Sequence, residues 1–297
     1  MKKWIKAFRM RTLPLAFSSI LMGGFIAYQH SYTNWSVLMF ALLTTLFLQI
    51  LSNLANDYGD FVKGTDNDQR LGPARSMQSG HINIAAMKRA LAVFVSLSLI
   101  SGISLVYLSF GKENLIKSLV FISIGIGAIL AAIRYTVGKS AYGYSGFGDL
   151  FVFIFFGLVA VVGTYFLISH HFDSSVLMPA STLGVFSTAV LNLNNLRDHK
   201  NDERSGKNTI VVKMGFARAK WYHLFLLASG WVLFLLYLQD QLATLNYYLV
   251  LVSLPLFIYN IARVFKVENE QELDPELKKL ALSITLFVLL FGVGIAL

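Results

Sequence analysis

Asn53–Asp68, NLANDYGDFVKGTDND, places four aspartates directly after one of the most apolar runs in the chain, residues 36 to 56. A run of about 20 apolar residues is enough to cross a hydrocarbon core about 30 Å thick. Within the stretch, Asn53, Asp57 and Asp60 stand at i, i+4 and i+7, which puts a carboxamide and two carboxylates on one face of a continuing helix. Ionisable groups at membrane depth are expensive and face a cavity or a partner.

The rest of the chain gives that helix its context. Of 297 residues 56% are hydrophobic and 14% charged, and the mean hydropathy is +0.61, which excludes an ordinary soluble globular class. Nine apolar runs recur, at about 13–30, 36–56, 85–109, 115–134, 147–169, 175–196, 219–238, 245–265 and 279–296, joined by short polar loops. They predict an all-α membrane protein, a nine-helix bundle formed by one domain over residues 1–297. The basic start MKKWIKAFRMR is read as the approach to the first span, because no small-x-small cleavage site follows it and eight more spans do.

A net charge of +9 raises the possibility of nucleic acid, but the positions of the basic residues answer it. If the nine spans alternate, every Lys and Arg except Lys112 and Lys117 falls on one side of the membrane. By the positive-inside rule that side is cytoplasmic, with the N-terminus inside and the C-terminus outside. No nucleic-acid partner is expected. Without cysteine there is no thiolate ligand, so any metal must take oxygen or nitrogen donors.

LNLNNLRDHKNDERSGKNT, from Leu191 to Thr209, repeats the first pattern: Asn194, Asp198 and Asp202 stand at i, i+4 and i+8 at the end of the sixth span. One acidic turn on a wet loop carries little weight; two N-x-x-x-D faces at matching topological positions argue for a pseudo-repeat facing a shared cavity. Carboxylate and carboxamide oxygens suit Mg²⁺, which takes one or two carboxylates and completes its shell with water and phosphate oxygens. The expected ligand is a diphosphate between two Asp-bound centres. Lys63, Arg70, Arg75, Lys139, Arg197, Lys200, Arg204 and Lys207 are placed to neutralise its oxygens. Asp66 and Asp68 are outlying acids on the same loop.

The loop RYTVGKSAYGYSGFGDL, Arg134 to Leu150, adds four glycines for tight backbone near a ligand and three amphipathic rings, Tyr135, Tyr142 and Tyr144. It is not a P-loop, and Asp149 is equally well an N-terminal helix charge. The six histidines are scattered, and His199 at i+1 from Asp198 points off the acidic face.

These passages resemble the UbiA superfamily of intramembrane aromatic prenyltransferases, and within it the naphthoate branch of menaquinone biosynthesis. The resemblance is carried by RTLPLA (Arg11 to Ala16), NLANDYGDFVKGTD (Asn53 to Asp66), GPARSMQSG (Gly72 to Gly80), YTVGKSAYGYSGFGDLFVFIFFG (Tyr135 to Gly157) and NNLRDHKNDERSGKNTIVVKMG (Asn194 to Gly215); the last three spans match only in hydrophobicity. It implies Mg²⁺-dependent transfer of a polyprenyl group from polyprenyl diphosphate to 1,4-dihydroxy-2-naphthoate, with loss of CO₂ and diphosphate, in the inner membrane of a bacterium. It also implies two metal centres, one on Asn53, Asp57 and Asp60 and one on Asn194, Asp198 and Asp202. The aspartates act in catalysis, with Lys63, Asp66, Arg75, Arg134, Tyr135, Lys139, Tyr142 and Lys200 around the substrates. The chain departs from the family at Met10, where R-P-R-T-L-P is usual, which puts roles for Arg9 and Arg11 in question.

Other readings stay open here. Acceptors such as 4-hydroxybenzoate or homogentisate fit the same motifs. A cation-coupled transporter would place its acids near span centres on broken helices. The CDP-alcohol phosphotransferases would require a D-G-x-x-A-R lead that is absent.

Overall fold

Polar residues flanking each apolar run decide where its helix starts. The side chains of Asn34 and Asn83 accept hydrogen bonds from the amides of Val37 and Ala86 at 3.1 and 2.8 Å, satisfying donors that a helix start leaves free. The computed structural model describes residues 2–67, 70–240 and 245–297, and of Lys2 and Asp240 the backbone only, so Asp68 lies outside the described residues. Among the described residues nine helices are long and apolar enough to span a membrane: α1 (Lys3–Gln29), α2 (Trp35–Val62), α3 (Ile84–Phe110), α4 (Leu115–Arg134), α5 (Gly148–Ser169), α6 (Ser174–Arg204), α7 (Phe216–Gln239), α8 (Leu245–Lys266) and α9 (Glu270–Ala296).

The number and order follow the hydropathy pattern, but four boundaries move, the first helix starting at Lys3 and not near residue 13. Both α2 and α6 continue past their apolar runs, carrying the acidic motifs on unbroken helix, because those polar residues turn into the protein rather than into water. The ninth helix starts well before residue 279, since its first turns are amphipathic: Leu273 and Leu280 are buried while Lys278 and Lys279 face out. The first helix is broken at Arg9, whose φ of 49° lies in the left-handed region that a non-glycine residue rarely adopts. The bend forms here with Met10, not proline, as the following residue. It lays Trp4, Ala7 and Phe8 against Ile50, Leu54 and Phe94 of α2 and α3.

Packing centres on α6, which touches α5, α7 and α9; α1 lies against α9, α5 and α2, and α4 packs on α3 and α2. One continuous core of Phe186, Trp231, Phe234, Phe257, Phe287 and Phe291 joins α6 to α9. Helix α5 contains a π-helical segment, Phe153–Val162, whose side chains line the central cavity; such segments are rare and often found at functional sites. At its middle, Gly157 meets α6 so closely that a Cβ would lie 2.6 Å from the Ala180 carbonyl oxygen and 2.7 Å from the Gly184 Cα. Both neighbours are backbone and cannot rotate away. Gly157→Leu is therefore expected to force α5 off α6 and lower stability by roughly 1–3 kcal/mol or more, read as earlier thermal unfolding in detergent; an unchanged transition would show that the contact is loose.

Candidate active site

The two acidic motifs end in the same local structure. Four residues after Asp60 comes Gly64, and four after Asp202 comes Gly206, with φ of +74° and +71°. Only glycine takes this left-handed turn freely. In each case the next amide returns to the aspartate's own carbonyl, Thr65 to Asp60 at 3.0 Å and Lys207 to Asp202 at 2.8 Å. The pseudo-repeat read in the acidic spacing therefore extends through its helix termini. The Asn201 side-chain amide donates to the Thr65 carbonyl at 2.9 Å and ties the two turns together.

Five carboxylates and five cations alternate around this junction. Arg75 bonds Asp60 at 2.5 Å, pairs with Asp66 at 3.0 Å and donates to the Asn56 carbonyl at 2.8 Å. Arg70 lies 3.4 Å from Asp66 and 3.6 Å from Asp198. Arg197, 1% exposed, holds both oxygens of Asp198 at 2.9 and 2.6 Å, and Lys207 lies 3.4 Å from Asp202. Asp57 sits in the field of Arg9, Arg75 and Arg70. Burial alone would lower the pKa of Lys207, but the nearby Asp202 and Asp60 outweigh it and keep the ammonium charged. For Asp66 burial wins over its arginines and pushes the carboxyl up to about 6.

Tyr144 organises one flank. Its hydroxyl donates to Asp60 at 2.7 Å, leaving its oxygen to accept from Thr65 at 2.6 Å, and its ring carries the Lys63 ammonium at 3.7 Å from the centroid. Tyr142 stacks on Phe151 at 3.9 Å and donates to the Ala131 carbonyl, and Tyr135 packs edge-on against Tyr142.

This charged ring closes one end of a cavity of about 860 Å³. Asn53, Asn56, Asp60, Arg75, Tyr135, Asn194 and Lys207 form its polar end; the remaining wall is mostly aliphatic and aromatic, drawn from α1 to α6. On α4 the lining runs from Val120 to Ala132, about 18 Å at 1.5 Å per residue. A second cavity of about 290 Å³ lies on the other side of Arg9 and Arg75, lined by Lys6, Arg11, Arg70 and Asp57 among others. It carries five basic side chains against one acid.

Among the described residues no three Asp, Glu or His side chains converge on a point that would cage an ion. The donors nevertheless fit a hard cation with an open shell. Asp57 Oδ1, Asp202 Oδ2, and the amide oxygens of Asn195 and Asn201 are buried without a hydrogen-bond partner. Buried orphan oxygens of this kind are costly unless something positive completes them, and one or two carboxylates per ion is the Mg²⁺ habit.

Several expected site residues are engaged by the protein itself or sit elsewhere. Asn53 is a tie to the bent N-terminal segment, its amide donating to the Phe8 carbonyl at 2.9 Å and the Thr12 hydroxyl at 3.0 Å. Asn194 accepts from Arg197 at 2.8 Å. Lys139 and Arg134 are exposed and line neither cavity. Lys200, two residues from Asp198, is carried off the acidic face and bonds Glu270 at 2.5 Å. His199, which the spacing turns off the acidic face, is half-buried and stacked on Phe216. Asp149 is buried and accepts from the Tyr222 hydroxyl at 3.1 Å. Of the expected cations, Arg70, Arg75, Arg197 and Lys207 do turn inward onto the carboxylates, and Arg9 joins them. Of the residues with no expected role, Asn201 was signalled by its i+7 spacing from Asn194, whereas Asn56 carried no separate signal.

The model of the UbiA prenyltransferase family matches residues 16–295. The chain belongs to that family. Its relatives include the 1,4-dihydroxy-2-naphthoate octaprenyltransferases of Haemophilus influenzae, 39% identical over 99% of this chain and 96% of the relative, and of Escherichia coli, 41% identical over 98% and 94%. A solved UbiA homolog from Archaeoglobus fulgidus, bound to GPP and Mg²⁺, shares the fold with a TM-score of 0.61 at 17% identity, over 99% of this chain and all of that one. Family membership agrees with acids at helix ends on unbroken helices and removes the transporter reading.

Proposed function

We propose that this protein transfers a polyprenyl group from polyprenyl diphosphate to 1,4-dihydroxy-2-naphthoate, releasing diphosphate and CO₂ and giving demethylmenaquinone. The observation that carries the reading is a ring of ion-paired carboxylates at one end of a long apolar cavity, in a chain about 40% identical to naphthoate octaprenyltransferases. Residues 1–297 form one catalytic domain. The distribution of basic residues supports a ring at the cytoplasmic face of a bacterial inner membrane, with the N-terminus inside and the C-terminus outside.

Asp57 and Asp60 on α2, and Asp198 and Asp202 on α6, hold two divalent ions together with the orphan oxygens beside them. Mg²⁺ held by these residues would supply positive charge to stabilise the diphosphate leaving group. Arg70, Arg75 and Lys207 turn from their carboxylates to the phosphate oxygens, while Tyr144 fixes Asp60. The apolar wall takes the prenyl chain and keeps bulk water from the allylic cation. The smaller basic cavity takes the acceptor, its carboxylate facing Arg9, Arg11 and Lys6, with Arg9 common to both cavities. The acceptor ring thus approaches the prenyl carbon from the arginine side.

Lys207→Ala is expected to raise KM for prenyl diphosphate by about tenfold or more, the loss of one charge-assisted contact, and Lys139→Ala to leave it unchanged. The reverse pattern would return the clamp to the exposed lysine. Acceptor identity is read by supplying purified protein with Mg²⁺, prenyl diphosphate and either 1,4-dihydroxy-2-naphthoate or 4-hydroxybenzoate. Prenylated naphthoquinone with CO₂ from the first alone supports the proposal; turnover only with the second overturns the acceptor while keeping the metal site.

A further inference from the structure

Asp274, in the first turn of α9, belongs to neither acidic motif, yet it shares an arginine with one of them. Arg197 divides its guanidinium three ways: Nε and Nη2 hold the two oxygens of Asp198, Nη2 also donates to Asn194 at 2.8 Å, and Nη1 donates to Asp274 at 2.5 Å. Above it, Gly72 leaves no room for a side chain: a Cβ there would lie 2.7 Å from Arg197 Nη2 and 2.8 Å from Arg70 Nη2. Arg197 is thus packed as well as hydrogen-bonded. The second oxygen of Asp274 faces Arg11 at 3.8 Å.

This arrangement creates a conflict. Each oxygen of Asp198 already accepts from Arg197, so a cation brought to its remaining lone pairs meets the guanidinium charge at close range and is disfavoured until that charge draws back. A buried arginine released from its carboxylate with nothing to receive it is strongly disfavoured. Asp274 is the other carboxylate in reach.

We propose that Asp274 is a positioning residue that competes with Asp198 for Arg197, so that the guanidinium pivots toward α9 and frees Asp198 when the divalent ion and diphosphate arrive. Helix α9, which carries no acidic motif, thereby sets the metal affinity of the α6 motif. The proposal rests on the two-metal reading above and adds to it a residue that touches neither substrate.

The test is Mn²⁺ binding to detergent-purified full-length protein in the presence of inorganic diphosphate, read by electron paramagnetic resonance, so that neither acceptor nor turnover enters. Asp274→Asn is expected to weaken Mn²⁺ binding at one of the two sites about tenfold, because Arg197 then stays on Asp198; Asp274→Glu should restore most of it. Glu270→Gln, which breaks the neighbouring Lys200 pair between α9 and α6, controls for simple docking of the helix and should leave binding unchanged. Equal Mn²⁺ affinity in wild type and Asp274→Asn overturns the proposal, as does an equal loss in Glu270→Gln. Absence of Mn²⁺ binding in wild type overturns the metal reading itself, and this proposal with it.

Discussion

Asp57→Asn is expected to lose prenyl transfer by about 10²–10³-fold or more, the scale of several kcal/mol of transition-state stabilisation, while the protein still inserts and folds. The reason is an asymmetry in what Asp57 does. Its Oδ1 is buried without a hydrogen-bond partner, so the change breaks no hydrogen bond at that oxygen. What it removes is an anionic donor beside Arg9, Arg70 and Arg75, in the position where an ion would otherwise be completed. The variant should retain a near-wild-type unfolding transition and lose its response to added Mg²⁺. Full activity in the purified variant would remove α2 from the metal site.

Arg75→Ala should behave in the opposite way, failing first as a folded protein. One nitrogen of Arg75 serves Asp60, Asp66 and the Asn56 carbonyl, so its loss takes the nearest cation from two buried carboxylates at once. Breaking a buried pair by deleting one partner costs about 3–5 kcal/mol, much of it the unpaired charge left behind. Thermal unfolding in detergent should therefore shift clearly downward. Doubling the change with Asp60→Asn should recover part of the loss, since one of those carboxylate charges is then gone. An Arg75→Ala protein as stable as wild type would mean that the ring is not energetically coupled.

The contrast between these residues shows what the sequence makes legible. Helix periodicity placed Asp57, Asp60, Asp198 and Asp202 because spacing along one helix fixes a face, and hydropathy set the nine spans for the same reason. It failed where tertiary contact decides. Lys139 and Lys207 both follow a glycine in a basic loop, and no local pattern says which ammonium turns inward; the return of the Lys207 amide to Asp202 is what aims that side chain. Likewise Asn53 shares the Asp57 face, but the bend at Arg9 brings the Phe8 carbonyl onto it and uses its amide. The roles of Tyr144 on Asp60 and of Asp274 on Arg197 join segments 84 and 77 residues apart, a separation that no reading of local spacing spans.

The most direct test of the account is to locate ions and diphosphate in the protein bound to Mn²⁺ and a non-cleavable prenyl thiodiphosphate, using the anomalous scattering of manganese. The account predicts one signal beside Asp57 and Asp60, another beside Asp198 and Asp202, the diphosphate between them, and the prenyl chain in the cavity lined by Phe155 and Ile124. Signal at neither motif, or a prenyl chain outside that cavity, would contradict it.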